Sequence, residues 1–369
     1  MKKVLFVANH KGFSKFNAPY MTWFKQQGWQ VDNASPGIEI GPVDNQYDVN
    51  IQRSPLSIKN WVALKQLKKI INNNNYDIIH VHTPMGAVIG RIASISARKK
   101  GTKVIYTAHG FHFFKGAPLL NWLLYYPIEK FLAPLTDILV TINDEDYERA
   151  VRNKLYKSLV YKIDGVGVDL ARFRPLEKKE KIYQRARYGF KDNDFIGLYT
   201  AQFINRKNHI FLIENLPIIL KYIPNFKLLL AGSGETMDRC KQLAKSIGVE
   251  EVISFLGTRS DIPLLCGIAD IHISPSLQEG LAIGNIEAMA CGCPLVISDI
   301  RGHKEVCDDG VNGFIFKLGD KKKLIDSIIS IASDKKLYSM LSNNALIKVK
   351  EFSIENSLFS MAAIYRKVM

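Results

Sequence analysis

Short runs of apolar, mostly β-branched residues recur along this chain, separated by longer stretches in which apolar positions return every three or four residues. Runs of four to six apolar residues suit strands covered on both faces, and the longer spacing suits helices packed on one face. In the first half the runs predict strands near 3–8, 29–34, 48–51, 77–82, 103–108, 137–142 and 158–162. Asp77-Ile78-Ile79-His80-Val81-His82 has the composition of a strand buried on both sides. The pattern breaks at 174–194, where Arg174-Pro175-Leu176-Glu177-Lys178-Lys179-Glu180-Lys181 and Lys191-Asp192-Asn193-Asp194 are polar. It then restarts, with strands predicted near 195–201, 226–231, 252–256, 269–273, 294–298 and 313–316. Strand and helix patterns in alternation indicate doubly wound parallel sheets. A length of 369 residues exceeds the usual reach of a single core. The expected organisation is therefore α/β, with two Rossmann-like parallel-sheet domains. Residues 1–173 form the first domain, 174–194 a linker and 195–351 the second. A final helix over 352–369, capped by Ser353, packs back towards the first domain.

Composition narrows the setting. The formal net charge is +15, and residues 1–173 hold 23 Lys/Arg against 13 Asp/Glu. That surplus favours anionic partners. No nucleic-acid module accompanies it, so nucleic acid is not expected as a partner. The five cysteines (240, 266, 291, 293 and 307) show no Cys-x2-Cys spacing and are odd in number, which fits reduced thiols in a cytoplasm and neither a disulfide framework nor a zinc site. No apolar run reaches the roughly 18 residues of a membrane span. The apolar start, Val4 to Ala8, is too short for a signal peptide and reads as the first strand.

The stretch with most chemical content runs from Ser274 to Pro294. A strand ends at Ser274, a loop carries Glu279-Gly280, a helix begins near Ala282, and Gly292 stands where a left-handed cap stops it. The amides of Gly280 to Gly284 then lie at a helix N-terminus, which attracts phosphate through free N–H groups and the helix dipole. Glu279 ahead of the helix and Glu287 inside it can face one site while held apart. A sugar nucleotide asks for that arrangement, with hydroxyls at both ends of a diphosphate. Taken singly, Glu287 also suits a solvated helix face and Glu279 a capping loop acid.

Glu279-x7-Glu287, followed by Gly292-Cys293-Pro294-Leu295-Val296 and Gly310-Val311-Asn312-Gly313-Phe314, resembles the retaining glycosyltransferases of family 4, which have the GT-B fold of two Rossmann-like domains facing a central cleft. The resemblance covers nearly the whole chain. Ala108-His109-Gly110-Phe111-His112-Phe113-Phe114-Lys115-Gly116 is similar to members that build bacterial capsule, exopolysaccharide and lipopolysaccharide. It implies transfer of a sugar, with retention, from a nucleotide-sugar donor, UDP-linked by preference, to a saccharide or lipid-linked acceptor. It implies that Glu287 holds the ribose and Glu279 the transferred sugar, with the amides of Leu281, Ala282, Ile283 and Gly284 against sugar and phosphates. Lys207, helped by Arg206, would neutralise the leaving diphosphate, so that no metal cofactor is required. Gln202 stands where relatives often carry Arg, which leaves that task to Lys207. Ala231-Gly232-Ser233-Gly234-Glu235 corresponds to a glycine turn near the nucleotide, and Arg259 to the segment lining the base.

In the first domain the resemblance puts His109, at the carboxyl end of a strand, beside the donor sugar. Gly12, His82 and Phe111 are candidates for the acceptor side. His80 and His82 share a strand face, yet no third metal ligand has useful spacing; buried polar residues are the plainer reading. The apolar, aromatic segment 111–127 suits a buried helix, a grip on a lipid-linked acceptor, or docking on acidic lipid at the inner face of the cytoplasmic membrane. Two alternatives remain open: a sugar-nucleotide epimerase or hydrolase of the same architecture, and a non-catalytic nucleotide-sugar-binding protein.

Overall fold

The computed structural model describes residues 1–10, 12–37 and 41–369. They divide into two compact units, one formed by Met1–Gly167 with Ile354–Met369 and the other by Val168–Ser353.

The first unit contains strands β1 (Lys3–Val7), β2 (Gln30–Ser35), β3 (Asn45–Asp48), β4 (Ile78–His82), β5 (Lys103–Ala108), β6 (Ile138–Thr141) and β7 (Leu159–Lys162). They pair in parallel in the order β3-β2-β1-β4-β5-β6-β7. From β1 the sheet grows one way to β2 and the other way to β4, so the carboxyl ends of β1 and β4 flank its switch point, where open α/β sheets place ligands. Every residue of β4 is buried, as its sequence predicts for a central strand. The third strand lies three residues earlier than 48–51. Val49 and Ile51 still reach the core, as extended chain after the strand.

Helix Ile354–Arg366 belongs to this first unit. The Tyr365 ring packs 4.5 Å from Phe24 and stacks 5.7 Å from Trp23, and its hydroxyl is 2.8 Å from His80 Nδ1. Ser357 donates to the Gly165 carbonyl at 2.6 Å and shares a 2.5 Å hydrogen bond with the buried Tyr20 hydroxyl.

The second unit contains β8 (Phe195–Thr200), β9 (Phe226–Ala231), β10 (Ile253–Gly257), β11 (Ile271–Ser274), β12 (Leu295–Ser298) and β13 (Gly313–Phe316), paired in parallel as β10-β9-β8-β11-β12-β13. Its switch point lies between β8 and β11. The stretch 174–194 differs from the linker that its polarity suggests: Lys178–Arg187 is a helix within this unit. The cause is a buried arginine. Arg185 pairs with Asp270 at 2.7 Å and donates to the carbonyls of Ile268 and Asp194, while Lys181 joins Asp270 at 3.1 Å. Polar sequence here satisfies the carbonyls at one end of the sheet instead of meeting water. All five cysteines are free and buried.

Candidate functional site

In the second unit the carboxyl ends of β8 and β11 deliver the residues singled out from sequence. The chain leaving β8 passes through Gln202 to a single turn at Asn205–Lys207. The chain leaving β11 runs through Ser276 and Glu279 to helix Ile283–Ala290. The two loops meet through side chains. Lys207 donates to Glu279 in a short ion pair, Ser276 donates to the same oxygen at 2.8 Å, and Arg206 lies 3.5 Å from the other. Arg206 also donates to the Gln278 carbonyl at 3.1 Å. The Tyr199 hydroxyl bridges the loops, 2.8 Å from Ser276 Oγ and 2.9 Å from the Lys207 carbonyl.

Glu279 is only 7% exposed. Burial by itself pushes its carboxyl up, but the charge and hydrogen bond of Lys207, with Ser276 assisting, outweigh that and hold it below the ordinary range. Glu287 has the opposite balance. Burial pushes it up to about 7 against a weaker pull from Arg172, and among the described residues no ion pair or hydrogen bond holds its carboxylate. The two glutamates are thus set apart: one fixed as a carboxylate in a cage of donors, the other unclaimed and poised to titrate near neutrality.

Local geometry explains the loop sequence. A Cβ on Gly284 would lie 2.4 Å from Thr200 Oγ1, so only glycine lets the first turn of the helix sit against the end of β8. Gly292 takes φ +81 just past the last helical turn, the left-handed cap its position predicts. Beneath the loop, His303 donates from Nδ1 to the Ser298 carbonyl at 2.8 Å, leaving Nε2 to accept from Ser274 Oγ at 3.2 Å. Arg301 donates to the Glu279 carbonyl at 3.3 Å. Ser274, Ser276, Arg301 and His303 support the loop, and sequence reasoning missed all four. Serine at the end of a strand otherwise rich in Ile was their one visible signal. Arg259 is not brought to this cluster; it forms a bidentate pair with Asp261, at 2.7 Å from Nε, and lies at the end of β10.

In the first unit, His109 follows β5 and His82 ends β4. His82 Nδ1 lies 3.2 Å from His109 Nε2, and the Phe13 ring, beside Gly12, packs 5.1 Å from one imidazole and 4.9 Å from the other. His80, on the same strand face as His82, is held by Thr107 and Tyr365, both at 2.8 Å. Burial pushes all three down, to about 3 for His80 and about 4 for His109, so they are neutral at physiological pH. Among the described residues no group of His, Cys, Asp and Glu is arranged to hold a metal ion. Gly12 donates its amide to His10 Nδ1 at 3.1 Å, while Lys11 lies outside the described residues. Thr83 has φ +62 and ψ 151, a strained conformation whose ψ the following Pro84 favours. Its hydroxyl accepts from the Asn9 amide at 3.1 Å, tying together the loops after β1 and β4. Phe111 differs from its expected acceptor-side position. Its ring is buried and stacked on Phe113 at 4.8 Å, and its amide donates to Asp146.

Comparison with known proteins fits this geometry. Residues 3–143 match the family described as Glycosyl transferase 4-like, and residues 180–347 that described as Glycosyl transferases group 1. The chain is 41% identical over 370 residues to the putative glycosyltransferase EpsD of Bacillus subtilis, covering 100% of this chain and 97% of the relative. It is 27% identical over 339 residues to the UDP-Gal:alpha-D-GlcNAc-diphosphoundecaprenol alpha-1,3-galactosyltransferase of Escherichia coli, covering 89% and 87%. The crystal structure of Anabaena HepE in complex with UDP-glucose superposes with a TM-score of 0.82 at 20% identity, covering 100% of both chains. That likeness shows the fold: two parallel-sheet, Rossmann-like domains, as in GT-B enzymes.

Proposed function

This chain belongs to the glycosyltransferases, with a 4-like domain in its first half and a group 1 domain in its second, and we propose that it moves a sugar, with retention, from a UDP-sugar to a saccharide or lipid-linked acceptor in the synthesis of a bacterial surface polysaccharide. The observation that carries this reading is the Lys207–Glu279–Ser276 cluster beside the N-terminus of helix Ile283–Ala290. A diphosphate entering there meets the ammonium of Lys207, the guanidinium of Arg206 and the amides of Leu281 to Gly284. It competes with Glu279 for the lysine. The exchange releases a carboxylate that is already ionised, to accept hydrogen bonds from the transferred sugar. Glu287 takes the ribose hydroxyls on the far side of the phosphates.

Two cations and aligned amides stabilise charge growing on the departing diphosphate, and this does the work of a divalent metal. Glu279 is a poor nucleophile, since both of its oxygens face donors and its basicity is held low. The acceptor hydroxyl therefore attacks from the face that the diphosphate leaves. His109 is neutral at physiological pH, so in its own unit it offers a hydrogen bond and not a charge. The expected workplace is the inner face of the cytoplasmic membrane. The E. coli relative's name specifies a lipid-linked acceptor and a UDP-sugar donor, and both choices rest on that similarity.

The test is a panel of nucleotide sugars screened for thermal stabilisation, followed by transfer assays on lipid-linked saccharides with the anomeric configuration of the product read by NMR. Donor turnover without any acceptor would favour a hydrolase or epimerase. An inverted product would remove the retaining assignment.

A further inference from the structure

Thr83 is a β-branched residue at a place where the backbone asks for glycine. It follows β4 directly with φ +62 and ψ 151, a positive-φ conformation that is a true outlier for a β-branched side chain. The surroundings impose it. Helix Pro84–Ala93 starts at the next residue, and its first turn is pressed onto the end of β1: a Cβ on Gly86 would lie 3.0 Å from Ala8 Cα and 2.7 Å from Thr83 Oγ1. The chain must therefore reverse within one residue, and glycine would do so without strain. What threonine adds is its hydroxyl. A threonine just ahead of a helix ordinarily accepts from an amide of the first turn, yet Thr83 makes no such bond. Its hydroxyl donates to the His82 carbonyl at 2.5 Å and accepts from the Asn9 amide at 3.1 Å. Both the strain and the forgone cap thus serve a tie between the chains leaving β4 and β1.

The tie falls at the switch point of the first sheet, where β1 has β2 on one side and β4 on the other. The Ala8 amide reaches the Ala34 carbonyl towards β2 at 3.1 Å, and the next amide, that of Asn9, goes to Thr83 towards β4. Beyond it the Phe13 amide donates to the His10 carbonyl at 3.1 Å and the Gly12 amide to His10 Nδ1. That closed turn delivers the half-buried Phe13 ring to both imidazoles, tilted over His82 and edge-on to His109. His82 has little else to orient it: Nδ1 meets His109, and Nε2 is buried without a partner among the described residues. Its ring direction is set by packing, from Phe6 and His80 on the strand side and from Phe13 on the loop side. We propose that Thr83 is a positioning residue, which acts through Asn9 to hold Phe13 against the His82–His109 pair and so fixes the direction in which His109 presents its other nitrogen. The consequence for turnover rests on the glycosyl-transfer reading above; the tie itself does not.

The experiment compares Thr83→Ser, Thr83→Val and Thr83→Gly in the full chain. Hydrogen exchange at the Asn9 amide and the imidazole NMR signals of His82 and His109 are read without donor or acceptor, with Tm, kcat and KM beside them. Serine keeps the hydroxyl, and we expect parental exchange and a kcat within about twofold of the parent. Valine keeps the shape and the strain but has no hydroxyl. Exchange at Asn9 should quicken at least about tenfold, and both imidazole signals should shift. The kcat should fall about ten- to hundredfold, with the KM for a UDP-sugar within about threefold, because the residues given to the diphosphate and ribose lie in the second unit. Glycine relieves the φ and also lacks the hydroxyl, so it should melt above valine while matching valine's loss of kcat. A residue with a purely structural task would not separate stability from turnover in this way. Parental exchange and kcat in Thr83→Gly, or a kcat that follows Tm across the three variants, overturns the proposal. Unaltered exchange and imidazole signals in Thr83→Val also overturn it, whereas a parent protein that transfers no sugar would remove the enzymatic reading and leave the tie to be decided by those two signals.

Discussion

Replacing Lys207 by methionine keeps the stem of the side chain and removes its charge, and the structure says what this does to Glu279. The carboxylate is 7% exposed and retains only Ser276 at 2.8 Å and Arg206 at 3.5 Å. Breaking a buried ion pair from one side costs about 3–5 kcal/mol. The loss has a ceiling, because Glu279 can take up a proton: at pH 7 that costs about 3.7 kcal/mol for a carboxyl of ordinary pKa near 4.3. Arg206 offsets part of it, leaving about 2–4 kcal/mol, or roughly 4–16 °C in Tm for a domain of this size. The pH dependence identifies the cause. In the parent protein the Glu279 pKa is lowered, so its contribution is present above the unfolded value and fades as pH falls through the folded one. In Lys207→Met the folded pKa is raised, so the variant regains stability relative to the parent as pH drops from 7 to 5. Adding Glu279→Gln removes the stranded charge and should restore most of the Tm, while transfer stays at least about a hundredfold below the parent, since the cation at the leaving group is still missing. Thermal melts from pH 5 to 8 beside single-turnover rates decide the matter. A Lys207→Met protein with an unchanged Tm, or a double variant as unstable as the sum of its parts, would refute the reasoning.

Three further outcomes follow from the same geometry. Glu287, pushed up to about 7, contributes stability that is complete below the unfolded pKa and lost as pH rises through 7; Glu287→Gln should therefore melt higher than the parent above pH 7, by up to about 3 kcal/mol, and calorimetric affinity for a nucleotide sugar should rise through that pH in the parent and stay flat in the variant. His82→Phe keeps the packing against Phe13 but removes the nitrogen 3.2 Å from His109, so kcat should fall about ten- to hundredfold with KM little changed, and steady-state kinetics at saturating donor read the split. Gly284→Ala drives a methyl against Thr200 and should cost about 1–3 kcal/mol with weaker donor binding, both measured by thermal shift with and without nucleotide.

The fold was legible because its signals are local. Strands buried on both faces announce themselves as unbroken apolar runs, and among the described residues twelve of the thirteen lie within a residue or two of their predicted places. The third lies on the sheet edge, where Asn45-Gln46-Tyr47-Asp48 pairs through its backbone with no need of apolar side chains, and the apolar alternation that misplaced it belongs to the chain beyond. The stretch 174–194 misled for a related reason: polarity signals solvent only when the polar groups lack internal partners, and Arg185 has four. At the loop after β11, backbone requirements were readable, because Gly284 and Gly292 are demanded by close approach and by a positive φ. The pairing of Lys207 with Glu279 was not. Seventy-two residues separate the two side chains, and sequence spacing carries no record of which strand ends become neighbours; that is set by the reversal of strand order between β8 and β11. The same limit hid His82 beside His109, which the order β4-β5 brings together across twenty-seven residues. Topology therefore decides chemistry in both units: each switch point gathers side chains that sequence can nominate one by one, and the ion pair formed there fixes Glu279 as a carboxylate before any donor arrives.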